Sequence, residues 1–334
     1  VTTWRLNFAT RLLRETGMPI GRVALAAGFR TVRRFNDAVR ARYGRTPSEL
    51  RRRPDVLDAE RDGYTVRLPY RPPLDWNSLL AFLEARAIPG VEEIAAGVYR
   101  RTFSHDGRAG VLEVRHVETR RALEVRVRSG EPVSLLPILA RVRAMFDLDA
   151  DTSAIARHLQ GDSKLGPLVR RYRGLRVPGA WDFFEVAVRD AFGESIARRA
   201  RPGLEQFVKR FGRSLPVPDP GGLGQVFPPA EAFLAGRLDG LSPGRARQIR
   251  ALARITHSGG PALAGSDGVA PYVALRALRQ PDAFPADDPL LAGAAGSERW
   301  SPWRAYAALY LWRASLDGPA AIAPRDPGCS AAAR

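Results

Sequence analysis

Residues 18–50 read MPIGRVALAAGFRTVRRFNDAVRARYGRTPSEL, and two short helices on either side of a glycine turn can be traced in them. Pro19 suits the first turn of a helix. Ile20, Val23, Ala24 and Ala27 then fall on one face at helical spacing. Gly28 ends that helix, GFRT makes a tight turn, and Thr31 is placed to cap a second helix. Its apolar stripe is Val32, Phe35, Val39 and Tyr43, and it stops at Gly44. A short helix, a glycine turn and an arginine-rich second helix make the pattern of a helix-turn-helix. A helix entering the major groove needs polar side chains near its N-terminal end, where Arg30, Thr31, Arg33, Arg34 and Asn36 stand. Arg33, Arg34 and Asn36 suit base edges or phosphates. A three-helix bundle with a solvated basic face would show the same periodicity. Upstream, Trp4, Leu6, Phe8, Leu12 and Leu13 form another helical stripe, ended by Gly17.

The charge points the same way. The 334 residues carry a formal net charge of +17, and almost all the positive charge is arginine, since Lys164 and Lys209 are the only lysines. A GC-rich coding sequence accounts for arginine over lysine, but less readily for the surplus. Thirteen arginines face only Glu15, Asp37 and Glu49 within residues 1–53. Such a surplus fits a polyanion, with double-stranded DNA the first candidate. A single cysteine, Cys329, excludes an internal disulfide framework and any site of several thiolates. No uninterrupted apolar run approaches the ~20 residues that span a bilayer. The charge-interrupted start is no signal peptide. A cytoplasmic protein with no membrane segment is expected, and no protein partner is implied.

Working outward, residues 54–63 are charged and proline-broken and read as a linker between a helix-turn-helix at 1–53 and a subdomain at 64–150. Within 64–150, GVYRRTFSH, AGVLEVRHV and RALEVRVRS alternate apolar and polar residues, predicting an antiparallel meander. Asp75 is placed to cap the helix WNSLLAFLEARA, and LLPILARVRAMFDL returns to helical period. From Asp151 to residue 314 the pattern is helical, with short Gly/Pro loops, and includes helices over 196–211 and 229–236. The expected fold is therefore mainly α: a helix-turn-helix, an α+β antiparallel-sheet subdomain and an all-α domain. The tail, 315–334, is rich in small and turn residues and predicted disordered.

Three features of the helical part carry chemistry. PDAFPADDPLL places Asp287 and Asp288 after a proline-flanked turn. Trp181, Phe184, Tyr272, Trp300, Trp303, Tyr306, Tyr310 and Trp312 supply aromatic walls. SPGRARQIRALAR is a basic segment able to track a phosphate backbone. A carboxylate beside aromatic rings, on a basic protein, suits chemistry on a base taken out of the stack. Adjacent aspartates also make solvated turns and helix caps, and tryptophans at helical spacing also make cores.

Two resemblances sharpen these readings. MPIGRVALAAGFRTVRRFNDAVRARYGRTPSELRR is similar to the C-terminal helix-turn-helix of AraC-type regulators. Those domains carry two such units; only the second and its linking helix are present here, so the chain is expected to begin inside the domain. PGAWDFFEVAVRDAFG, PGRARQIRALAR, YVALRALRQPDAFPADD and WSPWRAYAALYLWR resemble the helix-hairpin-helix DNA glycosylases of the bacterial 3-methyladenine type, over about residues 64–315. Together they resemble the adaptive-response regulator/glycosylase fusions, without the zinc-binding methyl-acceptor domain; its cysteines are absent, so neither zinc nor methyl acceptance carries over.

The resemblance implies hydrolysis of the N-glycosidic bond of alkylated purines, without metal or organic cofactor. It assigns the catalytic carboxylate to Asp288 and pocket aromatics to Tyr272 and Trp312. A fixed carboxylate stabilises the oxocarbenium-like sugar or helps activate water, and aromatic faces favour a cationic base. The family's hairpin, whose backbone amides point at a phosphate, corresponds to ALAGSDGVAPY at 262–272, giving Gly265, Ser266 and Gly268 as its DNA-binding positions. Ser266 replaces a glycine and Gly268 a pocket tryptophan. The family's GQQVS-like stretch reads GESIA at 193–197, with Ser195 where a wedge residue would fill the gap left by the flipped base. The segment between Asp288 and Trp300 is shorter than the family's. Two functions remain: an alkylbase glycosylase, or a catalytically degenerate homologue acting as a DNA-binding transcriptional regulator, sequence-specific or not.

Overall fold

The computed structural model describes residues 2–15, 18–51, 63–198, 202–216, 219–235, 238–258, 270–291, 294 and 296–318. In chain order its elements begin with α1 (Thr2–Glu15), α2 (Ile20–Ala26), α3 (Val32–Tyr43) and α4 (Pro47–Leu50). Then come β1 (Tyr64–Pro69), α5 (Trp76–Glu84), β2 (Glu92–Ala95), β3 (Val98–His105), β4 (Arg108–Val117), β5 (Ala122–Ser129) and α6 (Leu135–Met145). Next are α7 (Thr152–Leu159), α8 (Leu165–Arg171), α9 (Phe183–Ala191), α10 (Pro202–Phe211), β6 (Arg213–Ser214) and β7 (Gln225–Val226). The last are α11 (Pro243–His257), α12 (Pro271–Arg276) and α13 (Arg304–Leu316). The residues group into two compact units of interleaved segments: Val1–Tyr70, Ala87–Met145 and Pro202–Gly236 in one, and Arg71–Arg86, Phe146–Arg201 and Arg237–Arg334 in the other. Most of the linker, 52–62, and the tail from 319 lie outside the described residues.

In the first unit, α1 to α4 form the expected helix-turn-helix. Leu12, Leu13, Val23, Ala24, Phe35 and Val39 are buried and make its core. Burying Phe35 alone is worth about 2–3 kcal/mol. The α2–α3 turn is a Schellman cap: the Phe29 amide donates to Ala24 O and the Gly28 amide to Leu25 O. Gly28 adopts φ +79°, a conformation that costs any other residue strain. Thr31 caps α3, its side chain accepting from the Arg34 amide at 3.2 Å. Two residues of the predicted stripe depart from it. Val32, in the first turn, is 41% exposed. Tyr43 is half-buried because its hydroxyl turns outward to donate to Asn7 Oδ1 at 3.1 Å.

The meander forms a five-stranded antiparallel sheet in the order β1-β5-β4-β3-β2. The pairing puts Val66, Val125, Val114 and Tyr99 in one row of one face. On the other face Glu93, Arg100, Glu113 and Arg126 alternate in sign across neighbouring strands. Asp219, from the β6–β7 connection, is anchored on that face by Arg100 and Arg128, each at 2.8 Å. Of the predicted 196–211 helix, residues 196–198 are not helical and Pro202–Phe211 is, the latter belonging with β6 and β7 to this unit. Among the described residues, the 229–236 helix reduces to a single 3₁₀ turn, Ala230–Phe233. The Ala232 amide donates to Pro229 O and the Leu234 amide to Glu231 O, three residues back, which is the 3₁₀ pattern.

The second unit is helical around α13, whose apolar residues face inward almost all round, as in a central core helix. Asp182 caps α9, accepting from the Glu185 amide at 2.8 Å. Asp75 caps α5 as predicted, accepting from the Ser78 amide at 3.0 Å.

Candidate functional site

Four elements of the second unit bring the predicted chemistry together. α5 carries Phe82 and, one turn on, Arg86 lies just past its end. α9 runs into residues 193–198, which are not helical. α12 presents Tyr272 and Arg276, four residues apart and so on one face. α13 supplies Trp312, whose ring meets Phe82 edge-on at 4.9 Å between centroids.

Residues 194–197 tie these elements. Glu194 Oε1 accepts from the Tyr272 hydroxyl at 2.8 Å and from Arg276 Nη1 at 3.0 Å. Its Oε2 accepts from Arg189 Nη1 at 3.3 Å. Arg86 Nη2 donates to Ser195 O at 2.9 Å and to Ile196 O at 2.5 Å. The Ala197 amide donates to Asp288 Oδ2 at 3.1 Å. Every residue of the strap is thus held, Ser195 and Ile196 by the same arginine.

Asp288 lies at the end of a turn in which its amide donates to Pro285 O. Its side chain is 3% exposed. Besides the Ala197 contact, Oδ1 accepts from the Leu290 amide at 3.0 Å. Two amides therefore fix the carboxylate and leave lone pairs unspent. Neighbouring Asp287 is exposed.

Tyr272 and Trp312 are both buried. A cation packs on this aromatic cluster: the Arg86 guanidinium sits 3.7 Å from the Phe82 ring centroid and 5.9 Å from that of Trp312. Arg276 lies 5.3 Å from the Phe82 centroid. Burial lowers the Arg86 pKa from its ordinary value, opposed by Tyr272 and Glu194. Burial also works against the Arg276 cation, but Tyr272 and Glu194 outweigh it and raise its pKa. Burial pushes the Tyr272 phenol up to about 12, so it keeps its proton at neutral pH. Asp190, at the end of α9, is pushed up to about 6, first by burial and then by Asp287 and Glu194.

The structure thus brings Asp288, Tyr272 and Trp312 into one unit, joined through residues that the sequence motifs do not single out: Phe82, Arg86, Arg189, Asp190, Glu194 and Arg276. Helical spacing signals two of them, since Arg86 and Arg276 each stand four residues after an aromatic one. Ser195 is half-exposed and its hydroxyl accepts from the Arg198 amide at 3.3 Å. The hairpin positions Gly265, Ser266 and Gly268 lie outside the described residues.

In the first unit Arg30, Thr31, Arg33 and Arg34 are exposed together at the start of α3. Asn36 is turned partly inward, with Oδ1 buried and unpaired among the described residues. No described helix is long and apolar enough to cross a membrane.

Comparison with known proteins gives the same two-part picture. Residues 65–182 match the model of the AlkA N-terminal domain, and residues 1–53 match that of a helix-turn-helix domain. A Mycobacterium tuberculosis protein, described as "Probable bifunctional transcriptional activator/DNA repair enzyme AlkA", is 33% identical across 92% of this chain and 69% of its own length. DNA-3-methyladenine glycosylase 2 of Escherichia coli is 30% identical, across 73% of this chain and 95% of its own. A 3-methyladenine DNA glycosylase from Archaeoglobus fulgidus superposes with a TM-score of 0.57 at 22% identity, over 74% of this chain and 97% of that one, a likeness of fold.

Proposed function

Because the chain belongs to the AlkA family of DNA glycosylases, in its form fused to a helix-turn-helix, we propose that it removes alkylated purines such as 3-methyladenine from duplex DNA. Asp288 is the catalytic carboxylate of this reading, Tyr272 and Trp312 wall the base site, and Arg30, Thr31, Arg33 and Arg34 grip DNA from α3. The compartment is the one that holds the chromosome, the cytoplasm with its nucleoid.

The reading is carried by the Asp288 carboxylate, fixed by the Leu290 amide of its own turn and by the Ala197 amide of a strap that also holds Tyr272 through Glu194. A purine alkylated at N3 or N7 is cationic and leaves without needing a proton. As its bond to C1′ stretches, positive charge moves to the sugar. A carboxylate already fixed in place stabilises that charge without reorganising, and orients the water that completes hydrolysis. The bond broken is the N-glycosidic bond; the base departs neutral, water gives a hydroxyl to C1′, and the remaining proton passes by way of the Asp288 carboxylate to solvent. The aromatic cluster suits the leaving group. It already accommodates a planar cation, the Arg86 guanidinium against Phe82, and a methylated purine brings the same combination of flat face and positive charge.

The test is release of free base from N-methylated duplex DNA. The unaltered chain is expected to release 3-methyladenine, and Asp288→Asn to lose ~10²-fold or more of the rate, as when a preorganised charge-stabilising group is lost. Salt-dependent duplex binding should persist in that variant. No release above the protein-free background, or equal release by Asp288→Asn, would overturn the assignment.

A further inference from the structure

We propose that Glu194 is a specificity-determining residue of the base site, offsetting the arginine charge behind Tyr272 and so favouring cationic purines over neutral ones. The inference rests on the glycosylase reading and deepens it.

The Glu194 side chain is fully enclosed, with 0% of it exposed. Its carboxylate is the common acceptor for Tyr272, Arg276 and Arg189. A phenol has one proton to donate, and that of Tyr272 goes to Glu194 while its oxygen accepts from Arg276 Nη1 at 2.9 Å. Its hydroxyl proton is therefore committed. The hydroxyl is thus unavailable to a base, and any selection through the ring depends on charge rather than hydrogen-bonding pattern.

The charges around that ring are close to balance. Arg86, Arg189 and Arg276 stand against Glu185, Glu194 and Asp288. Glu185 is bonded to Arg189 at 2.8 Å, and Asp288 is held by backbone amides. Glu194 is thus the carboxylate paired with Arg276, the cation beside Tyr272. Neutralising it leaves the Arg276 charge uncompensated next to the place a cationic base must enter, an interaction only weakly screened by so buried a surrounding. The family pattern has a glutamine where this chain has Glu194, so the extra charge is a property of this chain. A purely structural Glu194 would affect cationic and neutral bases alike.

The experiment uses the full chain and two duplexes of one sequence, carrying either 7-methylguanine, a cation, or hypoxanthine, a neutral purine. Single-turnover release is measured for each, and the ratio of the two rates is the readout. Both substrates are read on one preparation, so a partly unfolded sample lowers both rates and leaves the ratio. Glu194→Gln is expected to reduce the cation-to-neutral ratio by about tenfold, and Glu194→Asp, which keeps the charge, to retain it. Arg276→Gln removes the opposing charge and is expected to raise the ratio, which keeps the test decisive if Glu194→Gln does not fold. A ratio unmoved by the charge-removing variants, with both rates falling by one factor, overturns the proposal while leaving the glycosylase reading intact. Release of neither base by the unaltered chain overturns that reading, and this inference with it.

Discussion

At the scale of single residues, the site gathers ionisable groups that the fold holds out of water. Asp190 shows the consequence. Its carboxyl is pushed up to about 6 by burial and by the nearby charges of Asp287 and Glu194. In the unfolded chain an aspartate releases its proton near pH 4. Between those values the folded protein holds a proton that the unfolded one has lost, so stability falls as pH rises through that window. Asp190→Asn cannot ionise. The unaltered chain should therefore lose stability relative to Asp190→Asn from about pH 4 to about pH 6, and run parallel to it outside that range. Urea melts at several pH values measure this, and curves parallel throughout would mean that Asp190 is not shifted. Arg86 makes a second case. Arg86→Met keeps much of the packing against Phe82 but leaves the carbonyls of Phe82, Ser195 and Ile196 without their donor. A loss of about 2–3 kcal/mol is expected from those unsatisfied groups, read as a lower urea midpoint at an unchanged m-value.

At the scale of elements, the helix-turn-helix was legible because its determinants are local. Pro19, Gly28, Thr31 and Gly44 sit within one turn of the structure they specify, and Phe35 and Val39 lie four apart on the buried face of α3. The sheet was legible for a similar reason, since alternation along one strand already states which face is buried. The strap at 194–197 was not. Nothing local says that Glu194 meets Tyr272 across 78 positions of sequence, or that Asp288 reaches Ala197 across 91. The family resemblance singled out Asp288, Tyr272 and Trp312; only the packing of α5, α9, α12 and α13 reveals the arginines and glutamate that join them. The 196–211 helix was overextended because apolar spacing continues through residues whose backbone bonds are diverted, as when the Ser195 amide donates to Arg198 O at 3.3 Å. The local determinants are open to direct test. Thr31→Ala removes the α3 cap and should cost about 1 kcal/mol, while Thr31→Ser should be nearly neutral. Equal stability of the alanine and serine variants by chemical melts would show the cap to be idle.

At the scale of the whole molecule, a net charge of +17 and two units of separate chemistry predict that DNA affinity and base release can be changed independently. Arg33 and Arg34 are exposed on α3 of the first unit, whereas Asp288 is buried in the second. Each phosphate contact neutralised by an arginine releases counterions and contributes about 0.9 to the slope of log K against log salt. If both arginines touch phosphates, Arg33→Ala with Arg34→Ala should flatten that slope by about 2 and weaken duplex binding most at low salt. At saturating enzyme the single-turnover release of 3-methyladenine should be unchanged, because neither side chain belongs to the second unit. Asp288→Asn should do the reverse, ending release while leaving the salt slope as it was. A double substitution on α3 that leaves the slope intact would remove those arginines from the DNA interface. One that slows release even at saturation would show that α3 positions the substrate for the chemistry as well as gripping it.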